Sequence, residues 1–245
     1  MRLQAVTFDV ADASAVAAFW AGLLDRDVLV ESHGALVPGD EMQVGLRFVS
    51  SDTEQIGPRL LHLHLTSSSP ADQQRTVETV LRLGGRHIDV GQEPDDDFVV
   101  LADPGGNELC VIEPGNNFLA GTGHLGEVTC SGTRDVGLFW RDALSWPLVW
   151  DENEETAVQS PLGGTKSRGA ARRSNPSTDR TGSTSTWSLM TSAARQTGSS
   201  SSAPPALAPW LTLSSSPTWT ATSSACTQSD RPGTTSGVTL LSSGS

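Results

Sequence analysis

The 245-residue sequence predicts an α+β protein in which paired β-α-β-β-β modules form a curled mixed sheet around a cleft, followed by an irregular or disordered C-terminal tail. Three observations lead to this class. A strand, a helix and three short strands are written once in residues 3–49 and again in residues 59–112. Apolar residues recur at helical spacing in the helices and at every second position in the strands. Gly, Pro, Asp and Ser punctuate the joins. An internal repeat restricts the fold more than any single residue does, because each sheet leaves an open face that another module must cover.

The elements follow in order. Leu3–Val10 alternates as a strand, and Asp12 is placed to cap a helix over Ala13–Leu24 that carries Val16, Phe19, Trp20 and Leu23 on one face. Strands are predicted at Val28–Glu31, Ala35–Val37 and Val44–Val49. The second module opens with a strand at Arg59–Thr66, and Ser69-Pro70 starts its helix, which Gly84-Gly85 stops. Strands at Arg86–Val90, Phe98–Ala102 and Glu108–Ile112 complete it. Asp103-Pro104-Gly105-Gly106-Asn107 forms the last turn, and Asp95-Asp96-Asp97 reads as a solvated hairpin loop. A third start follows. Leu125–Thr129 parallels Leu3–Thr7, Phe139-Trp140 with Leu144 parallels Phe19-Trp20 with Leu24, and strands are predicted at Leu148–Asp151 and Thr156–Gln159.

Composition divides the chain near Lys166. Residues 1–165 hold 26 acidic and nine basic residues, a net charge of −17, whereas residues 166–245 hold two acidic and seven basic residues, a net of +5. Of those last 80 residues, 35 are Ser or Thr, too few aliphatic side chains to offset the entropy of ordering the backbone. The expected organisation is a complete domain at 1–116, a partial second domain at 120–165 and a tail at 166–245. The acidic front argues against nucleic acid, no apolar run is long enough for a bilayer, and no signal-peptide pattern opens the chain, so a soluble cytoplasmic protein is expected. Cys110, Cys130 and Cys226 are odd in number and widely spaced, which disfavours a disulfide framework.

Phe19-Trp20 with Leu24, Arg59-Leu60-Leu61-His62-Leu63-His64-Leu65, and the Asp-Pro-x-Gly-Asn turn before the final strand resemble, in this order and spacing, the glyoxalase-like branch of the vicinal-oxygen-chelate (glyoxalase/bleomycin resistance/dioxygenase) superfamily. The resemblance covers residues 1 to about 115 fully and about 120–165 in part. It implies a cleft whose floor holds a divalent metal between His on the first strand, His on the fifth and Glu on the last. In this sequence the first position falls on Ala5, the second on His62 and the third on Cys110, so His62 is the only matching ligand position of the first domain. No metal or other cofactor is therefore expected with any firmness. His64, on the same strand face as His62, and Cys110 are cleft candidates. Glu127 joins them as the first-strand position of the second copy, although the strands expected to face it belong to the tail.

That tail reads as a half-domain in another frame. With suitable synonymous codons, Lys166–Arg173, read from the third base of the Lys166 codon, gives Val-Ser-Trp-Gly-Gly-Pro-Pro. The same offset turns Arg180–Ser188 into Asp-Arg-Leu-His-Leu-Asp-Leu-Val and turns Leu213–Cys226 into a counterpart of Val99–Val111. One offset serves all three windows. A second domain cut short in this way leaves an unpaired sheet edge, so the full chain is expected to self-associate more than one ending near Asn116.

Two functions from different classes follow. One is a metal-free module enclosing a small molecule, with the acidic charge favouring a cationic one. The other is a metal-dependent lyase or dioxygenase of the superfamily's type, so catalysis is left open. A damaged product without activity is the third reading. Small-molecule binding, a homodimer through the first domain, and no nucleic-acid or membrane partner are the expected associations.

Overall fold

In a computed structural model, residues 2–52, 61–93 and 95–170 are described, together with strands at 211–213, 218–222 and 237–241. The first module comprises β1 (Arg2–Val10), α1 (Ala13–Leu24), β2 (Leu29–Glu31), β3 (Gly34–Val37) and β4 (Gly45–Ser50). The second comprises β5 (Leu61–Leu65), α2 (Pro70–Arg82), β6 (Arg86–His87), β7 (Val99–Ala102) and β8 (Glu108–Val111). The third is β9 (Leu125–Ser131), α3 (Arg134–Leu144), β10 (Leu148–Glu152), β11 (Glu155–Val158) and β12 (Lys166–Ala170). Beyond it lie β13 (Leu211–Leu213), β14 (Thr218–Thr222) and β15 (Gly237–Leu241).

The helix ends form as the local sequence dictates. The Asp12 carboxyl accepts from the Ala15 N–H at 2.9 Å, and the Ser69 hydroxyl accepts from the Asp72 N–H at 3.2 Å, each satisfying an otherwise orphaned donor of the first turn. Pro70 sits in the first turn of α2, where its missing N–H costs nothing. Gly84 ends that helix with φ 98°, a conformation that glycine reaches without strain.

Two mixed sheets result, one ordered β13-β14-β15-β1-β4-β3-β2 and the other β10-β11-β12-β9-β5-β8-β7-β6. The first and second modules therefore lie in different sheets. β5 runs parallel to β8 on one side and antiparallel to β9 on the other, which joins the second module to the third. The α+β architecture of paired modules is as expected, with the pairing within the second sheet made between the second and third modules. β9 lies between β5 and β12, and α3 covers β11 and β12 with Trp140 and Leu144 buried. Each strand of such a module exposes unpaired amides until a neighbour docks, and β9 supplies that neighbour while burying Leu125, Val128 and Cys130.

Sheet also continues past the compositional boundary at residue 166, since β12 runs to Ala170 in parallel register with Glu127–Ser131. The Arg180–Ser188 window and most of the Leu213–Cys226 window lie outside the described residues. Asp95–Asp97 fall in the connection between β6 and β7.

One core unites the three modules. Val6, Phe8, Leu46 and Phe48 from one sheet meet Leu63, Leu65, Leu101, Leu109 and Val128 from the other, with Trp20 and Val80 between. The Asp-Pro-x-Gly-Asn turn is a pin in this core rather than a chemical site. Asp103, fully buried, accepts from Trp20 Nε1 at 2.8 Å, from the Asn107 backbone N–H at 2.8 Å and from Asn107 Nδ2 at 2.7 Å. Gln43 ties the first module to the third: its Nε2 donates to the Thr122 carbonyl at 2.6 Å and its Oε1 accepts from the Leu125 N–H at 3.0 Å. Nearby, the Thr165 N–H donates to the Met42 carbonyl at 2.7 Å.

Candidate functional site

The period of two along a strand decides what faces the cleft. On β5, Leu61, Leu63 and Leu65 point into the core, which leaves His62 and His64 on the opposite face. On β8, Leu109 and Val111 join the core while Cys110 packs with Val100, Ile112 and Leu119 in a separate cluster. On β9, Val128 and Cys130 go to the core, and Glu127, Thr129 and Ser131 line the cleft.

Register then aligns these residues. Across β8, β5, β9 and β12 the Cα partners run Cys110, His64, Glu127, Lys166. Two residues along, His62 partners Thr129 and Thr129 partners Arg168. All four residues singled out from the sequence, His62, His64, Cys110 and Glu127, line one cavity of about 340 Å³. Ala5 is elsewhere: it lies on β1, paired with Gly45 and Thr239 in the other sheet. The strand that faces His64 and Cys110 is therefore β9, and Glu127 occupies the position sought on β1. Two strands flank Glu127: β5 of the second module and β12, which lies in the first residues of the segment assigned to the tail.

Glu127 has no solvent exposure, and its Oε2 lies 2.6 Å from His64 Nδ1. The approach is not aligned for a hydrogen bond, and both Glu127 oxygens are without a hydrogen-bond donor. Burial pulls the His64 pKa down, but the Cys110 and Glu127 side chains against the ring, and the charge of both, outweigh it, so the imidazole is pushed up to about 10. The ligating atoms of His62, His64 and Cys110 lie within 4.8 Å of one another, and the two imidazole centroids are 4.8 Å apart.

Sequence reasoning missed the basic side of this cleft. Arg168 Nη1 lies 3.8 Å from Glu127 Oε2, and its Nη2 pairs with Glu155. Lys166 Nζ donates to the Phe118 carbonyl and sits 4.3 Å from the centre of the Phe118 ring. Burial lowers the Lys166 pKa, against the charge of Glu127. The spacing of Lys166 and Arg168 by two was the available signal, hidden in a Ser/Thr-rich segment.

The His, His and carboxylate set that the resemblance implies is not reproduced, because Ala5 offers no donor and is on the other sheet and Cys110 stands at the carboxylate position. His62, His64 and Cys110 are instead the residues that could hold a softer divalent ion, while Arg168 places a fixed cation beside the buried Glu127 carboxyl.

A βαβββ repeat with a polar floor shared between modules defines the class of this protein. Residues 5–112 match the family model described as "Glyoxalase-like domain". Among solved structures, glyoxalase I from Zea mays is similar at 15% identity and a TM-score of 0.51, over 69% of this chain and 66% of that one. A glyoxalase/bleomycin resistance protein/dioxygenase family enzyme from Burkholderia phytofirmans PsJN is 16% identical over 45% of this chain and 97% of its own, with a TM-score of 0.37. No curated protein matches the sequence. Residues 5–112 are thus similar to a glyoxalase-like domain, and the fold is shared with glyoxalase I.

Proposed function

We propose that the cleft between the second and third modules binds a small organic molecule without a metal ion. One observation carries this reading. Among the described residues, five buried side-chain polar atoms have no hydrogen-bond partner, and four belong to residues lining this one cavity: Glu127 Oε1, Thr129 Oγ1, Arg168 Nε, and Glu127 Oε2, whose closest ion pair is with His64. Buried polar groups are nearly always satisfied in folded proteins, so their concentration here marks the place where a ligand's donors and acceptors are met. Val90, Phe98, Val100, Ile112 and Leu119 supply an apolar wall for its carbon body.

Elemental analysis of the purified chain, paired with thermal-shift screening of a small-molecule library, tests this. We expect no stoichiometric metal and ligands that raise Tm, with the rise lost in Glu127→Gln. Tightly bound divalent metal at one per chain would instead favour the metal-dependent lyase or dioxygenase, and a library without a stabilising compound would favour an inactive product.

The same reading extends to the coding sequence. We infer that the chain beyond β12 is the remainder of a second glyoxalase-like domain read in a shifted frame. Sequencing the coding DNA decides this: stops in the alternative frame, or no Asp-Gly-Asn-Glu motif in it, overturn the inference.

A further inference from the structure

Cys110, His64 and Glu127 stand in one row across three adjacent strands, on the cleft side of the sheet. The Cys110 sulfur lies within 4.8 Å of a His64 ring nitrogen, and His64 Nδ1 lies 2.6 Å from Glu127. A thiol beside an imidazole that is itself held by a carboxyl is the arrangement that turns cysteine into a nucleophile. Cys130 provides an internal contrast, since it is equally buried but packs in the core on the other face of β9.

We propose that Cys110 is a nucleophile toward α,β-unsaturated carbonyl compounds entering this cleft, with His64 holding the thiol proton and Glu127 positioning the His64 ring. The proposal rests on reading the cleft as a metal-free small-molecule site. The reaction is an addition and needs no oxidant or leaving group. The sulfur–carbon bond forms at the β carbon, the alkene π pair shifts toward the carbonyl oxygen, and the α carbon then takes up the proton that sulfur gave to His64. The apolar cluster of Val100, Ile112 and Leu119 around Cys110 accepts the alkene. The charged and titratable groups facing His64 are Cys110 on β8, Glu127 on β9 and Arg168 on β12, with His62 beside it on β5.

Acrylamide is a suitable probe, with adduct formation at each cysteine followed by peptide mass spectrometry in the full chain of measured metal content. In native protein Cys110 is expected to react on the order of 10-fold faster than the same residue in the urea-unfolded chain, whereas Cys130 reacts more slowly native than unfolded. His64→Gln should slow Cys110 by roughly 10-fold and leave Cys130 unchanged, and Glu127→Gln should slow Cys110 less. A native Cys110 no faster than its unfolded counterpart overturns the proposal without recourse to any variant. An unchanged Cys110 rate in folded His64→Gln also overturns it. Inert Cys110 in metal-free protein sinks only the nucleophile, whereas stoichiometric metal in the sample sinks the reading on which it rests.

Discussion

At His64, neighbouring sulfur and carboxyl groups raise the imidazole pKa from 6.5 to about 10 despite burial, so the folded chain holds a proton there that the unfolded chain gives up. The sign of the linkage follows. The stabilisation is fully present below pH 6.5 and is lost as pH rises toward about 10, because across that window the native state binds the extra proton. Chemical denaturation at a series of pH values should show stability falling across this window. The His64→Gln profile should be flatter, and parallel profiles for the two proteins would contradict the assignment. His62, His64, Cys110 and Glu127 were all legible as residues because strand alternation tells which face a side chain takes. Thr129 and Arg168 were not singled out, since a threonine and an arginine gain meaning only once β12 is seen docked against β9.

The helices and most strands were readable within one or two residues, because caps, apolar spacing and Gly or Pro stops act locally. β12 was not, since Lys166–Ala170 has neither β-branched residues nor an apolar stripe and becomes a strand through its place between β9 and β11. The choice of β5's partner was equally hidden. Alternation fixes the face of a strand but says nothing about which strand lies beside it. The loop before β12 carries a test of how that strand is anchored. Gly164 has φ 86°, and a Cβ there would fall 1.6 Å from the Met42 carbonyl oxygen, the acceptor for Thr165. Gly163, at φ 87°, would meet only Met42 Cε at 3.4 Å. Gly164→Ala should therefore cost more than the roughly 1–3 kcal/mol of left-handed strain alone, and Gly163→Ala about that strain. Urea melts of the two variants compare them directly, and equal losses would show that the Met42 contact yields freely.

For the whole molecule, the joining of the second and third modules gives truncation before β9 an effect of its own. A chain ending near Asn116 keeps β5 but removes β9, which exposes the β5 amides and the apolar residues that Leu125, Val128 and Cys130 cover. Such a chain is expected to self-associate more than one ending at Ala170, as read by light scattering on the eluting protein. A monodisperse monomer from the shorter chain would contradict the pairing of β5 with β9. None of the described helices is long and apolar enough to cross a membrane.

The antiparallel ladder between β5 and β9 also bears on how such a protein can change over generations. The family match ends at residue 112, whereas Glu127, Thr129, Ser131, Glu155, Arg168 and Ala170 lie beyond it, so six of the 19 residues lining the cavity come from the third module. Neither module owns the site. A substitution at His64 or Cys110 is judged by its fit to residues of the third module, so a change on one side of the ladder alters which residues the other side tolerates.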